Sequence, residues 1–246
     1  MNSFWAVFLG VLQGFTEFLP VSSSGHLVIA QSLIPGFSQP GVLFDVVLHA
    51  GTLFAVVVFF RKEILKMNTK EITYLAIGTI PVAFLGYFFQ SSIEGLFKSI
   101  RLVGAALLIT GIVNLLTNRT KPQKKALKVK SSFLVGLAQA FAIIPGISRS
   151  GLTIFAGVTQ GISRKKAAQF SFLLSAPAVL GANILQIATH AFEPGVEFVY
   201  YFAGFLAAFV SGIFAIGVVL KLLFSKRFNL FGYYCILLGV LILFLS

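Results

Sequence analysis

Six long apolar runs, at residues 43–60, 73–90, 101–117, 167–190, 198–220 and 229–246, leave this chain few folds to choose from. Each approaches or exceeds the ~20 residues a helix needs to cross the hydrocarbon of a bilayer. With 57% hydrophobic residues and 28 Phe, the composition lies well above the roughly 45–50% apolar usage of soluble domains. The fold class expected is an all-α polytopic membrane protein, one membrane domain over residues 1–246. The first segment, Phe4 to Leu19, has no basic leader or small-residue cleavage site and is interrupted by Gln13, Thr16 and Glu17. It does not read as a signal peptide and is expected in the mature protein.

The formal charge of +12 could suggest nucleic acid. The basic residues, however, cluster in short connectors: Arg61–Lys70, Arg119–Lys130, Arg164–Lys166 and Lys221–Arg227. Positive-inside loops on anionic lipid explain them, so no nucleic-acid partner is expected. A single Cys235 in a late span excludes intrachain disulfides and reads as a packing residue.

Sliding the chain on itself by 126 residues aligns Gly10, Gln13 and Phe15 with Gly136, Gln139 and Phe141, and Ser22-Ser-Ser-Gly25 with Ser148-Arg-Ser-Gly151. Farther on, Phe44 falls on Phe170, Leu48 on Leu174 and Gly78 on Gly204; a further shift of two pairs Gly104 and Gly111 with Gly232 and Gly239. Repeats over 1–120 and 127–246 follow. Each half opens with a broken apolar pair (4–19 with 21–33; 131–144 with 149–162), interrupted at Pro20 or Pro145-Gly146. The arms are too short to cross comfortably, so each pair reads as a re-entrant hairpin. Three full spans per half then force opposite insertion, and the basic loops agree: all four clusters come out on one side, with Glu193 and Glu197 opposite and only Lys98 and Arg101 misplaced. Such inverted repeats keep binding sites where the hairpins meet near the midplane.

Of seven acidic residues, five lie in or near loops, leaving Glu17 and Asp45. A carboxylate within a membrane segment costs roughly 2.5–3.5 kcal/mol on insertion scales and is by default functional; Asp45, at the start of a span, has helix N-terminal pairing as the plainer explanation. Gln13, four residues before Glu17, shares its face and could help hold a cation. His26 follows Ser-Gly at a helix mouth, beside Ser22, Ser23 and Ser24; His49 and His190 lack such company and read as structural. In the second hairpin, Arg149 stands between Ser148 and Ser150 and near Thr153, a donor set suited to phosphate. Phosphoryl transfer needs charge neutralisation, a positioned nucleophile and a proton donor, which these residues can supply. A fully caged metal is not expected. Mg²⁺ or Ca²⁺ shared between Glu17, with Gln13, and substrate phosphates fits the composition.

The stretches Gln13-Gly-Phe-Thr-Glu17-Phe-Leu-Pro-Val-Ser-Ser23-Ser-Gly-His26 and Pro145-Gly-Ile-Ser-Arg149-Ser-Gly-Leu-Thr153 resemble the two signatures of bacterial undecaprenyl-diphosphate phosphatase, the bacitracin-resistance family. The likeness spans the chain, including Phe44–Thr52 and Phe170–Pro177. It implies a multi-pass enzyme of the bacterial plasma membrane, aided by a divalent cation, that hydrolyses undecaprenyl diphosphate to the monophosphate carrier of cell-wall synthesis. Carried over, Glu17, Ser23, His26 and Arg149 are the catalytic positions, with Ser22, Ser24, Ser148, Ser150 and Thr153 around the phosphates. The first acidic position of the family's paired motif is Gln13 here. Attack on phosphorus by Ser23, by His26 or by water stays open. A second membrane phosphatase class needs a His six residues after its Arg, and position 155 is Phe. The main rival is a transporter or flippase for a lipid phosphate or small anion, since inverted repeats with paired hairpins are chiefly a transporter architecture. Expected partners are the polyprenyl diphosphate and membrane lipids, with a homodimer left open.

Overall fold

A computed structural model describes residues 2–37, 43–121, 123, 125–189, 198–224 and 228–246. His190, Glu193, Glu197, Lys124 and the Lys226-Arg227 end of the last basic cluster lie outside the described residues. The described chain is helical, with no strand: α1 (Ser3–Phe18), α2 (Ser23–Leu33), α3 (Leu43–Phe59), α4 (Arg61–Leu65), α5 (Thr69–Phe88), α6 (Gln90–Leu96), α7 (Ile100–Arg119), α8 (Val129–Phe141), α9 (Arg149–Thr159), α10 (Arg164–Thr189), α11 (Phe198–Phe224) and α12 (Phe228–Leu245). Local chemistry sets the starts. Asn2 caps α1 by accepting from Trp5 N at 3.0 Å, Asn68 and Glu71 close a capping box on α5, and Ser99, Ser22 and Ser148 cap α7, α2 and α9.

Among the described residues five helices, α5, α7, α10, α11 and α12, are long and apolar enough to span a membrane. The sixth expected span, 43–60, forms a helix over nearly its whole apolar run but is one residue shorter than α12. α3 is 17 residues, about 25 Å at 1.5 Å per residue, and the helix breaks at Phe60 as the basic Arg61-Lys62 pair begins. The broken pairs are shorter still: α1 has 16 residues, α2 11, α8 13 and α9 11. None has the ~20 residues of a comfortable crossing.

Packing follows small residues. A Cβ on Gly10 of α1 would stand 2.4 Å from the Gly204 carbonyl of α11, and one on Gly136 of α8 would stand 2.3 Å from the Gly78 carbonyl of α5. Between α7 and α12, Gly111 meets Gly232 and Gly104 meets Gly239. Close backbone approach of this kind replaces the hydrophobic drive that lipid removes. Phe18, Val56, Phe60, Phe172 and Ile216 fill one core cluster, and Leu9, Leu27, Phe44 and Leu48 another. The outward faces are apolar as well, with Phe84, Ile112, Phe214 and Leu237 more than half exposed, whereas Gln13, Glu17, Asn114 and Gln139 are buried. That distribution, greasy outside and polar within, is that of a multi-pass membrane protein.

Arg164 and Arg101 tie helix ends. Arg164 donates to the carbonyls of Thr117 (3.2 Å), Asn118 (2.8 Å) and Thr120 (3.4 Å), closing the C-terminal end of α7. Arg101, one of the misplaced cations, donates to the Ser246 carbonyl at 2.5 Å beyond α12. Cys235 is fully buried, as a packing residue should be.

Gly136→Val is expected to cost roughly 1–3 kcal/mol through overpacking, lowering the melting temperature of detergent-purified protein by several degrees. Gly86→Ala, where a Cβ meets nothing within 4 Å, is expected to leave it unchanged.

Candidate active site

The site is built where the two helix breaks touch. Proline 20 ends α1 and Pro145-Gly146 ends α8, so in each half the chain turns and restarts on a serine cap: Ser22 for α2 and Ser148 for α9. Gly146 has φ +97° and Gly25 lies so near it that a Cβ would sit 3.0 Å from the Gly146 Cα. The small residues let two backbones meet. Ser22 Oγ then accepts from Gly25 N at 3.2 Å and from Gly146 N at 3.1 Å, tying one hairpin to the other.

Ser22 is the one described non-glycine residue with positive φ, at +71°. Such a residue persists only where its surroundings over-determine it. Here its carbonyl accepts from the His26 backbone N–H at 3.1 Å and meets the His26 Nδ1 at 2.7 Å. α7 holds both breaks from behind. Asn114 Nδ2 donates to the Pro20 carbonyl at 2.6 Å, Thr110 Oγ1 to the Gly146 carbonyl at 2.8 Å, and Ser148 N to Thr110 Oγ1 at 2.9 Å.

At the centre is the buried Glu17 carboxylate. Its Oε2 accepts from Gln13 Nε2 at 2.9 Å and from Ser23 Oγ at 2.6 Å, and its Oε1 is ion-paired with the Arg149 guanidinium. His49 Nε2 stands 3.6 Å from Oε2, while its Nδ1 meets the Asp45 carbonyl at 2.7 Å. Asp45 Oδ1 in turn accepts from Gln31 Nε2 at 2.6 Å. Ser23 and Arg149 are the first residues of α2 and α9, so two helix N-termini, each with free N–H groups and a positive dipole end, start at this carboxylate.

A cavity of about 640 Å³ adjoins these groups, lined by Glu17, Ser22, Ser23, Ser24, Ser148 and Arg149 at its polar end, with Asp45, His49 and Gln139 beside them. Its remaining wall is mostly apolar and runs along α5 to Tyr87, across α6, and along α10 to Leu185. Both helices start at basic connectors, so the cavity extends toward their ends away from those loops.

The remaining expected site residues are placed differently. Ser150 Oγ donates to the Leu19 carbonyl at 3.1 Å, and Thr153 Oγ1 is held by the Arg149 carbonyl at 2.7 Å and Ser171 Oγ at 2.6 Å. Neither lines the cavity: one turn along α9, Thr153 faces α10. Gln13 is behind Glu17, fully buried. His26 is also off the cavity wall. Its Nε2 meets the Tyr234 hydroxyl of α12 at 2.7 Å, and the two rings stack at 5.7 Å. His49, read from sequence as structural, is on the wall beside Glu17. Its sequence signal is the i, i+4 spacing from Asp45, which puts both on one face of α3.

For a divalent cation the cavity wall offers the Glu17 carboxylate; Gln13 Oε1, expected to help, has no partner among the described residues but is buried behind Glu17 and off the wall. Among the described residues no three His, Cys, Asp or Glu side chains form a metal-binding group. Mg²⁺ and Ca²⁺ take six to eight oxygens, so this set fits only a cation shared with substrate oxygens.

Ser22→Ala removes a helix cap, worth about 0.5–2 kcal/mol, and strands the Gly146 N–H, worth about 1–3 kcal/mol more. Among the described residues Ser24 Oγ hydrogen-bonds only to Ser22 Oγ, at 3.3 Å. Thermal melts in detergent are therefore expected to show a drop of several degrees for Ser22→Ala and little change for Ser24→Ala.

Comparison with known proteins supplies the family. The model of the bacitracin resistance protein BacA family matches residues 6–241. Proteins named undecaprenyl-diphosphatase align along nearly the whole chain: one from Carboxydothermus hydrogenoformans is 43% identical, covering 100% of this chain and 98% of its own. One from Syntrophotalea carbinolica is 40% identical, covering 97% of each, and one from Methanobrevibacter smithii is 38% identical, covering 98% and 97%. With a match over both broken helix pairs and every long helix, the chain belongs to the bacitracin resistance protein BacA family.

Proposed function

We propose that this protein is a membrane phosphatase that hydrolyses undecaprenyl diphosphate to undecaprenyl phosphate and inorganic phosphate. The observation that carries the reading is the convergence of a hydroxyl (Ser23), a carboxylate (Glu17) and a guanidinium (Arg149) at the polar end of an otherwise apolar cavity. An amphiphile with a diphosphate head and a hydrocarbon tail matches both ends. The names of the relatives support the same substrate. In a bacterial plasma membrane this reaction regenerates the lipid carrier for peptidoglycan synthesis and opposes bacitracin, which are roles proposed with it.

In the resting arrangement Arg149 is spent on Glu17. A diphosphate entering the cavity competes for the guanidinium, which binds two phosphoryl oxygens at once. Release of Arg149 leaves Glu17 hydrogen-bonded to Ser23 Oγ and placed to take its proton. The Ser23 proton passes to Glu17 as Oγ attacks the terminal phosphorus; the bond from that phosphorus to the bridging oxygen breaks, and Glu17 returns the proton to the departing prenyl phosphate. Water, deprotonated by Glu17, then attacks the phosphoserine. Oγ leaves, recovers that proton and releases inorganic phosphate. Arg149 and the N–H groups at the starts of α2 and α9 hold charge that builds on the equatorial oxygens. His26, locked between Ser22 and Tyr234, positions the strained turn that presents Ser23. A divalent cation, held by Glu17 at the cavity wall, would neutralise further phosphate charge when bound.

The repeat and the membrane orientation belong to this proposal. Packing supports an inverted pair of halves. The Gly10–Gly204 and Gly136–Gly78 contacts are repeat mates of each other, and exchanging the halves converts Gly111–Gly232 into Gly104–Gly239. The polar equipment is unequal, since Ile143 and Leu152 stand where the first half has Glu17 and His26. A transporter that alternates between equivalent halves has less use for that asymmetry than a catalyst does. With basic loops inside, the cavity faces outward.

Purified protein with Mg²⁺ or Ca²⁺ is expected to release phosphate from a long-chain prenyl diphosphate; no release removes the enzyme reading. Arg149→Ala and Glu17→Gln are each expected to lower turnover by at least roughly 10²–10³-fold while remaining folded. Ser23→Ala is expected to abolish turnover and the formation of acid-stable phosphoserine from labelled substrate, whereas undiminished turnover would identify water as the nucleophile. In a Cys235→Ala background, a cysteine at position 24 is expected to react with impermeant maleimide from outside intact cells.

A further inference from the structure

Gln139, on the last turn of α8, is 1% exposed, and neither its Oε1 nor its Nε2 has a hydrogen-bond partner among the described residues. It nevertheless lines the cavity beside Ser148 and Arg149. A buried amide left unpaired at both ends is costly and uncommon in native proteins. The repeat explains why it is unpaired. Its mate Gln13 donates Nε2 to Glu17 four residues on, at 2.9 Å; four residues after Gln139 stands Ile143. The second hairpin keeps the donor and lacks the carboxylate, so the anion that meets this donor has to come from outside the chain.

The surroundings select its chemistry. The N-terminus of α9, and Arg149 once a ligand draws it from Glu17, favour an anionic acceptor here, and a hydrocarbon chain offers no acceptor at all. We infer that Gln139 is a substrate-contacting residue whose amide N–H donates to a phosphoryl oxygen of the diphosphate. The inference rests on the hydrolase reading for the identity of the ligand. It adds a third donor, beside Arg149 and the start of α9, contributed by the second hairpin.

The test uses full-length protein in detergent, with Gln139→Met as an apolar near-isostere and Gln139→Glu as a charge reversal of the contact. Because nothing in the resting protein is lost with the amide, Gln139→Met is expected to melt at or above the wild-type temperature. Its kcat/KM for a prenyl diphosphate is expected to fall roughly 10- to 100-fold, the worth of a hydrogen bond to a charged group. Gln139→Glu is expected to fall further, since a carboxylate repels phosphate. The rise in melting temperature given by inorganic pyrophosphate is expected to shrink in both variants. Wild-type kcat/KM in Gln139→Met, activity of Gln139→Glu at or above wild type, or a large loss of melting temperature in Gln139→Met would each overturn the contact. If wild-type protein releases no phosphate, the hydrolase reading falls, and the pyrophosphate shift alone decides the contact: an equal shift in wild type and Gln139→Met overturns it, and a reduced one sustains it.

Discussion

A carboxylate can be buried among membrane helices only if its charge is met, and the site is organised around meeting the charge of Glu17. Taking a carboxylate and a guanidinium out of water is expensive for each, and their attraction repays this only when further hydrogen bonds complete the arrangement. Glu17 has that complement in Arg149, Ser23 and Gln13. The same economy makes the pair responsive. In the proposed reaction, an anion that offers Arg149 two oxygens would exchange one charge-assisted contact for another inside the protein, with the cost of desolvation already met before it arrives.

The backbone around this pair is built to keep it in place. Irregular chain within a membrane needs partners for every N–H and carbonyl it frees, and Thr110 and Asn114, four residues apart on α7, serve one break each. Ser22 serves both, through Gly25 and Gly146. A left-handed serine is a strained residue, and the strain is stored beside Ser23, the hydroxyl that the turn presents to Glu17. His26 belongs to this scaffold: its ring spans from the Ser22 carbonyl to Tyr234 on the last helix, linking the turn to the far end of the chain.

Much of this was legible in the residues. The apolar runs forecast the long helices to within a few positions, and the prolines at 20 and 145 marked the breaks. The 126-residue repeat brought Ser23 and Arg149 into register, and both prove to start helices that converge on Glu17. Hydrogen-bond direction was less legible. Ser150, Thr153 and His26 share motifs with residues on the cavity wall, yet they turn away from it, to the Leu19 carbonyl, α10 and α12, because one residue along a helix rotates a side chain by about 100°. His49 was missed for the opposite reason, since it comes to Glu17 through packing of α3, and its one nearby companion, Asp45, itself reads as a helix N-terminal charge.

The sequence alone determined that the chain lives in a bilayer, where it breaks, which loops carry positive charge and which few polar residues have no business in hydrocarbon, because composition and spacing are local properties. Only the tertiary structure decided which of those polar groups meet. That Arg149 neutralises Glu17, that Ser23 shares the same carboxylate, that His26 faces Tyr234 and that Gln139 is left with nothing to bond are outcomes of helices crossing at glycine contacts far apart in the chain. Their physical cause is the need to pair buried polar groups wherever packing allows it, which no stretch of sequence specifies by itself.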